Sequence, residues 1–141
     1  MSVYLDTSVL VALFTDSDPF TERARAYMAS NPDTLTISDF AAAEFASVVA
    51  RLTRMRRLTK DDANKVFSGF DAWKARAVAM ATTTPADIAA ATSALRRLDL
   101  NLRTPDAINI AIADRLNTTL ATFDEGMATA ARALGVQVAP A

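Results

Sequence analysis

The chain has 141 residues, of which 51% are hydrophobic and 22% charged, and its formal net charge is −1. These values predict a single globular domain, residues 1–141, with a core of its own, and they exclude a disordered chain. The sequence contains no cysteine and no histidine, which excludes disulfides, thiolate and imidazole metal sites, and catalytic triads that use histidine.

The same features bear on where the protein works. The absence of cysteine favours a reducing cytoplasm. The apolar run at residues 9–14 is too short to span a bilayer, and the residues before it do not resemble a signal peptide, so we expect no membrane contact. The near-zero net charge does not indicate a strong polyanion-binding surface.

The first half of the chain alternates strand and helix patterns. Short runs rich in apolar and β-branched residues predict strands, and longer runs that open with a capping residue or proline predict helices. In chain order we expect a strand at residues 3–5, helices at 8–14 and 18–30, a strand at 34–37 and a helix at 40–57. Ser38 or Asp39 is expected to cap the last of these helices.

The second half repeats the alternation. Thr59 with Asp62 resembles a capping box, and Gly135 is expected to close the last helix. In chain order we expect a helix at residues 59–73, a strand at 77–82, helices at 84–98 and 104–116, a strand at 119–122, a helix at 125–134 and a strand at 136–139.

This alternation is typical of the α/β class, here a three-layer sandwich in which helices flank a central, mostly parallel sheet. Ligands of such sheets bind outside the carboxyl ends of the strands. Asp6 directly follows the first predicted strand, and Asp124 comes two residues after the strand at 119–122. The sequence therefore predicts a functional site at this edge of the sheet.

Each of four acids also has a plausible structural role. Asp6 and Asp124 are each positioned to cap a following helix. Asp106 falls in the first turn of a helix, where the helix dipole favours an acid. Glu44 shares a helix face with Ser47 and Arg51, so it could belong to a narrow solvated stripe.

Together, the four acids predict a metal site. At ~4 Å separation and an effective dielectric of about 20, each pair of like charges costs on the order of 4 kcal/mol. Clustered carboxylates at one sheet edge would therefore shift their pKa values upward or bind a cation. Since the chain offers oxygen ligands only, a hard ion such as Mg²⁺ or Mn²⁺ is expected.

Four segments resemble the PIN-domain nucleases and, within them, the VapC-type toxins of toxin–antitoxin pairs. "VYLDTSVLVALF" resembles the family's first strand, "ISDFAAAEF" the segment with its glutamate, and "RTPDAINIAIADRLN" its Asp-Ala helix. "LATFDEGMATAARALGVQV" is similar to its closing strand–helix–strand unit. These segments carry, in order, Asp6, Glu44, Asp106 and Asp124.

The resemblance implies a divalent-metal-dependent endoribonuclease that is the toxin of a type II toxin–antitoxin system. It implies that Asp6, Glu44 and Asp106 hold Mg²⁺ or Mn²⁺, with Asp124 assisting directly or through water. Residues that would orient the phosphate or a water molecule are Thr7, Ser8 and Thr122. The partners implied are an RNA substrate, a cognate antitoxin and a second copy in a homodimer.

Two positions depart from the family pattern. Asn109 stands where many relatives carry histidine or an apolar residue, and Gly126 stands where some carry a further acid. The segment at residues 59–102 matches the family only in general character.

Basic and aromatic residues give two further groups of candidates. The candidates for contact with the RNA backbone are Arg51, Arg54, Arg56 and Arg57, followed by Lys60. The alternative is a solvated helix end whose cations favour the dipole, and Arg51, on the Glu44 face, is the best functional candidate. Core or dimer packing is favoured over base stacking for the aromatic residues Phe20, Tyr27, Phe67, Phe70 and Trp73.

Two rival functions remain open. A dehalogenase-like phosphatase would use Asp6 as a nucleophile, but it requires a second aspartate where this chain has Ser8. A non-catalytic PIN-like module would bind RNA or protein without cleavage. Such a module would be expected to have lost acids, whereas this chain retains all four.

Overall fold

A computed structural model describes residues 1–16 and 18–140, and its strands and helices follow the predicted order. The strands are β1 (Ser2–Leu5), β2 (Thr34–Ser38), β3 (Val78–Ala81), β4 (Thr119–Thr122) and β5 (Val138–Pro140). The helices are α1 (Thr7–Phe14), α2 (Thr21–Ser30), α3 (Asp39–Arg54), α4 (Lys60–Ala77), α5 (Pro85–Arg96), α6 (Thr104–Arg115) and α7 (Glu125–Ala133).

The strands form one sheet in the order β3-β2-β1-β4-β5, and every pairing is parallel. The expected α/β architecture is confirmed. From β1 the chain winds outward through β2 and β3, and it then returns to place β4 on the other side of β1. The crevice between the carboxyl ends of β1 and β4 is therefore the topological switch point, where ligands of parallel sheets bind.

Each face of the sheet carries its own hydrophobic layer, because successive side chains of a strand point to opposite faces. Tyr4 and Leu120 pack with residues of α5, α6 and α7 on one face. Val3, Leu5 and Ala121 pack with residues of α1, α3 and α4 on the other. The result is the predicted sandwich of three layers. In α6, every residue from 107 to 113 is buried.

Several helix ends are fixed by the capping chemistry that the sequence predicts. Ser38 accepts a hydrogen bond from the backbone of Ala41 at the start of α3, and Thr59 and Asp62 form both bonds of a capping box. Gly135 adopts a positive φ of 84° after α7, a conformation that costs glycine little.

Several predicted boundaries differ from those observed, and helix α4 continues to Ala77, four residues beyond its predicted end. The helix expected from Asp18 begins at Thr21, because Asp18 instead accepts the backbone N–H groups of Phe20 and Thr21 in a turn. Helix α3 ends at Arg54 rather than residue 57, where the chain leaves the helix through Arg56 at a φ of 60°. Strand β5 begins at Val138, two residues later than expected.

A buried ion pair joins α5 to α6. Asp87, whose side chain is 1% exposed, accepts hydrogen bonds from Arg115 Nε at 2.8 Å and Nη2 at 3.1 Å. Burial alone would raise the pKa of Asp87, but hydrogen bonds from Arg115 and Thr84 and the Arg115 charge hold it below the usual value. The same guanidinium donates to the backbone oxygen of Thr82, so the pair also anchors the loop after β3.

Within the part of the chain that the structure describes, no helix is both long enough and apolar enough to cross a membrane.

Candidate active site

Asp6 lies at the switch point and is the most deeply buried of the four candidate acids. Its Oδ1 accepts hydrogen bonds from Ser8 Oγ at 2.6 Å and from the backbone N–H of Val9 at 3.2 Å. Its Oδ2 accepts from Thr122 Oγ1 at 2.5 Å, which ties β1 to β4. The expected capping role is therefore real, since Val9 lies in the first turn of α1.

The charge of Asp6 is costly where it lies. The residue is 3% exposed, and burial raises the pKa of its carboxyl to about 6. Hydrogen bonds from Ser8, Thr122 and Val9 act in the opposite direction, and the nearby charge of Asp124 raises the pKa further. Two acids of the predicted set thus interact electrostatically across the β1–β4 crevice.

Asp124 is positioned by the turn between β4 and α7. Its Oδ1 caps α7 by accepting the backbone N–H of Met127 at 2.9 Å, and its own N–H donates to Thr122 Oγ1 at 3.0 Å. Ser8 Oγ accepts the N–H of Phe123 at 3.0 Å, so the predicted orienting residues Ser8 and Thr122 link Asp6 to Asp124. At Gly126 a Cβ would lie 3.3 Å from Asp124 Oδ1, so the glycine leaves this carboxylate uncrowded.

Glu44 reaches the same edge of the sheet from α3. Its Oε1 accepts hydrogen bonds from Thr7 Oγ1 at 2.7 Å and from Asn109 Nδ2 at 2.6 Å. Thr7 follows Asp6 directly, so the glutamate is coupled to the β1 end. Glu44 is half-buried while Ser47 on the same helix is exposed. A simple solvated stripe does not account for these bonds.

Behind Glu44 lies a buried polar chain that the sequence did not predict. The Tyr4 hydroxyl donates to Asn109 Oδ1 at 2.5 Å and lies 2.6 Å from Ser38 Oγ. Asn109 Nδ2 donates both to Glu44 and to the backbone oxygen of Pro105, at 3.1 Å. Burial raises the pKa of Tyr4 well above its usual value, so its hydroxyl keeps the proton that orients the amide. The one sign of this polar chain in the sequence is a carboxamide, Asn109, among the apolar residues 107–113 of α6.

Asp106 lies at the start of α6, one turn before Asn109 on the same helix. Its Oδ2 accepts the backbone N–H of Arg103 at 3.4 Å and lies 3.5 Å from Arg103 Nε. The expected role at the helix start is therefore observed. Among the residues that the structure describes, no hydrogen bond or ion pair joins Asp106 to Asp6, Glu44 or Asp124, whereas those three are linked through hydroxyl groups or charge.

The donors are of the chemical type that a hard divalent cation prefers, because carboxylate and hydroxyl oxygens surround the crevice. Its central carboxyl, Asp6, ionises less readily than a free aspartate, so a cation would stabilise its charged form. Their placement is not a closed coordination shell. Across residues 1–16 and 18–140, no group of three or more acidic side chains is close enough to hold a metal ion as the side chains lie.

Two clefts open beside Asp124. The first, the Arg51 cleft, has a volume of about 350 Å³ and is lined by Thr7, Ser8 and Arg51 among others. The second, the Arg132 cleft, has a volume of about 420 Å³ and is lined by residues of α7 that include Arg132. Arg51 is therefore at the site, as its helix face predicted. The exposed cations at the α3 end, which line neither cleft, are Arg54, Arg56, Arg57 and Lys60.

Aromatic residues divide into two groups. Those that pack in the core beneath α1 and α3 are Tyr27, Phe67, Phe70 and Trp73, as expected. Phe20 lies elsewhere, stacked on Phe123 beside Asp124.

Comparison with known proteins agrees with the fold. The family model described as the PIN domain matches residues 3–133. The chain belongs to the PIN domain family. No match was found among curated protein sequences.

Solved structures share the PIN domain fold with this chain. VapC20 of Mycobacterium tuberculosis, described as a toxin that cleaves the sarcin–ricin loop, gives a TM-score of 0.74 at 19% identity, covering 91% of this chain and 94% of that one. FitAcB of Neisseria gonorrhoeae gives 0.77 at 21% identity, covering 98% and 96%. VapBC2 of Rickettsia felis, solved with a DNA fragment from its promoter, gives 0.70 at 15%, covering 99% and 98%.

Proposed function

We propose that this PIN domain is a divalent-metal-dependent endoribonuclease and the toxin of a type II toxin–antitoxin pair. The observation that carries the proposal is the buried carboxyl of Asp6, whose pKa is raised to about 6 beside Asp124 at the switch point. A protein that needed only a helix cap there could use a neutral residue at lower cost. The PIN fold and its likeness to a toxin described as cleaving the sarcin–ricin loop support this proposal.

The proposed ligands of Mg²⁺ or Mn²⁺ are Asp6, Glu44, Asp106 and Asp124. The ion would supply Lewis-acid activation of water and neutralise phosphate charge, which a chain without histidine needs. Asp106 would exchange its contact with Arg103 for the ion.

The remaining residues of the site bind the RNA and orient the reacting groups. Thr7 and Ser8 line the Arg51 cleft, where their hydroxyls can donate to a phosphate oxygen or a water molecule. Thr122 holds Asp6 in place. Arg51 binds the RNA backbone electrostatically, a contact that positions the strand without reading its bases.

We also propose a homodimer and a cognate antitoxin whose basic residue covers the acidic crevice. The Rickettsia relative was solved as a VapBC2 complex, which supports an antitoxin partner for this chain. The uncompensated charge at Asp6 and Asp124 is complementary to a cationic side chain.

A non-catalytic module that binds RNA or protein remains the second candidate, and it is favoured by the absence of a closed acidic cage among the described residues. The phosphatase alternative is weaker, because such an enzyme requires a second aspartate at the position where this chain has Ser8.

The test is cleavage of a structured RNA pool by the purified full-length chain in Mn²⁺ or Mg²⁺, in EDTA, and by Asp106→Asn in parallel. We expect cleavage by the wild type with metal only, and a rate at least about a hundredfold lower in the variant, because Asp106 is one of the proposed ligands. Equal activity of the two proteins, or cleavage that survives EDTA, would refute the proposed mechanism. RNA binding without cleavage would favour the non-catalytic module.

A further inference from the structure

Two phenylalanines form a preassembled stack at the edge of the candidate active site. The rings of Phe20 and Phe123 are 4.8 Å apart between centroids and 9° from parallel. The guanidinium carbon of Arg23 lies 5.4 Å and 5.3 Å from the two centroids. Both rings are half-buried, so part of each remains open to a ligand. We call this pair the Phe20–Phe123 ridge.

The ridge separates the two clefts. Phe20, Phe123 and Asp124 line both the Arg51 cleft and the Arg132 cleft, so they form a shared wall with an acid of the site in it. Volumes of about 350 and 420 Å³ fall within the range of small-ligand pockets. A chain-like ligand that crosses the wall would place one unit in each cleft.

The chemistry of the walls matches a nucleotide. Each cleft offers an aromatic surface on which a base can stack, whatever its identity. Each also offers at least one arginine for a phosphate: Arg51 on one side, and Arg23 with Arg132 on the other. An apolar peptide would use the rings but would make no use of the charges of Arg51 and Arg132.

Resting on the proposed nuclease function, we propose that the Phe20–Phe123 ridge separates two adjacent nucleotides of single-stranded RNA, one base in each cleft, with their phosphates facing the arginines of the two clefts. Neighbouring bases in a duplex stack on each other, so a ridge between them requires an unpaired strand. The ridge therefore selects for single-stranded segments and discriminates little between bases.

The test measures binding and stacking separately from cleavage. The probe is a fluorescent single-stranded RNA hexamer that contains 2-aminopurine, titrated with full-length protein in EDTA and again in Ca²⁺. The variants are Phe20→Leu and Phe123→Leu, which keep apolar bulk but lose the aromatic face. Matched controls are Tyr27→Leu, a half-buried aromatic of α2, and Lys65→Gln, an exposed cation of α4. Neither control residue lines a cleft.

We expect each ridge variant to bind the hexamer about tenfold more weakly or worse, since base stacking on an aromatic residue contributes strongly to single-strand affinity. The change in 2-aminopurine fluorescence that accompanies wild-type binding should be lost in the ridge variants and kept in the controls. A duplex of the same sequence should bind more weakly than the single strand. Thermal unfolding of each variant establishes that it is folded, and the two independent substitutions keep the test decisive if one destabilises the chain.

Equal affinity of wild type and ridge variants for the hexamer would overturn the inference, as would a duplex that binds as tightly as the single strand. Ridge variants with unchanged RNA affinity that no longer bind an antitoxin peptide would assign the ridge to a protein partner instead. If the wild type binds and stacks the probe but never cleaves RNA, the ridge proposal stands and the nuclease proposal fails. If it cleaves while the ridge variants bind normally, only the ridge proposal fails.

Discussion

Two aspartates of this PIN domain are almost fully buried, and their surroundings differ in one respect. Asp87, 1% exposed, is held by the guanidinium of Arg115 and by the capping residue Thr84. Asp6, 3% exposed, accepts hydrogen bonds from two neutral hydroxyls and a backbone N–H. Both lie at the start of a helix.

The pKa of each aspartate reflects the groups that contact its carboxyl. The charge of Arg115 helps to lower the pKa of Asp87, whereas burial raises that of Asp6 to about 6 and Asp124 adds to the rise. A buried carboxylate that is paired with a cation of its own chain already has its charge neutralised. One that is surrounded by neutral donors and a second acid is poised to receive a cation from outside the chain. Asp87 is therefore a structural acid, and we propose that Asp6 is a functional one.

The largest expected effect comes from neutralising each aspartate in turn. Asp6→Asn should lower metal-dependent RNA cleavage by about a hundredfold or more, because it removes a proposed ligand. Asp87→Asn should leave cleavage per folded molecule close to wild type. The measurement is the initial rate with Mn²⁺, normalised to the folded fraction from circular dichroism. The comparison fails if the two variants lose activity to the same extent.

The second expected effect is a pH dependence of opposite sign for the two residues. The folded pKa of Asp6, about 6, lies above its usual 3.8, so its stabilising contribution is complete below about pH 4 and is lost as the pH rises through 6. The loss is on the order of 3 kcal/mol. Asp87 has a lowered pKa, so its contribution is present above the usual value and is lost as the pH falls through the folded one.

Urea unfolding in EDTA between pH 2 and pH 8 measures this dependence. We expect Asp6→Asn to flatten the decline in unfolding free energy around pH 6, while Asp87→Asn keeps that decline and loses part of the acid-side dependence. A wild-type slope that persists unchanged in Asp6→Asn would show that another group is responsible.

The smallest expected effect concerns the ion pair itself. Arg115→Met leaves the Asp87 carboxylate buried without its cation and should lower the unfolding free energy by about 2 kcal/mol, less than a fully buried pair because Arg115 is partly exposed. The double variant Asp87→Leu, Arg115→Met should recover much of this loss, since two apolar groups replace both charges. Chemical denaturation at pH 7 checks both values. A double variant no more stable than Arg115→Met would contradict this account.

The sequence was sufficient for the architecture because its signals are local. Ser38, Thr59 and Gly135 fix element ends through bonds or backbone conformations within a few residues. The alternation of strands and helices then favours a parallel sheet. The end of α3 was missed because Met55 to Arg57 have good helix propensity, and only the turn toward α4 stops the helix there.

At the site, the acids next to strand ends were predictable, since topology alone brings Asp6 and Asp124 to one crevice. The contact of Tyr4 with Asn109 was not, because it spans 105 positions and depends on how α6 packs on the sheet. Phe20 was assigned to packing for a similar reason: its neighbour Phe123 is far away in sequence.

The carboxamide of Asn109 accepts a hydrogen bond at one end and donates one at the other. It receives a proton donor, the hydroxyl of Tyr4, at one end and presents a donor to Glu44 at the other. An aspartate in its place would face Glu44 with a like charge, and a leucine would leave the buried Tyr4 hydroxyl with Ser38 as its partner and remove a donor to Glu44. In this chain the position therefore favours a side chain that accepts at one end and donates at the other, and a library of all substitutions at 109 should return asparagine most often.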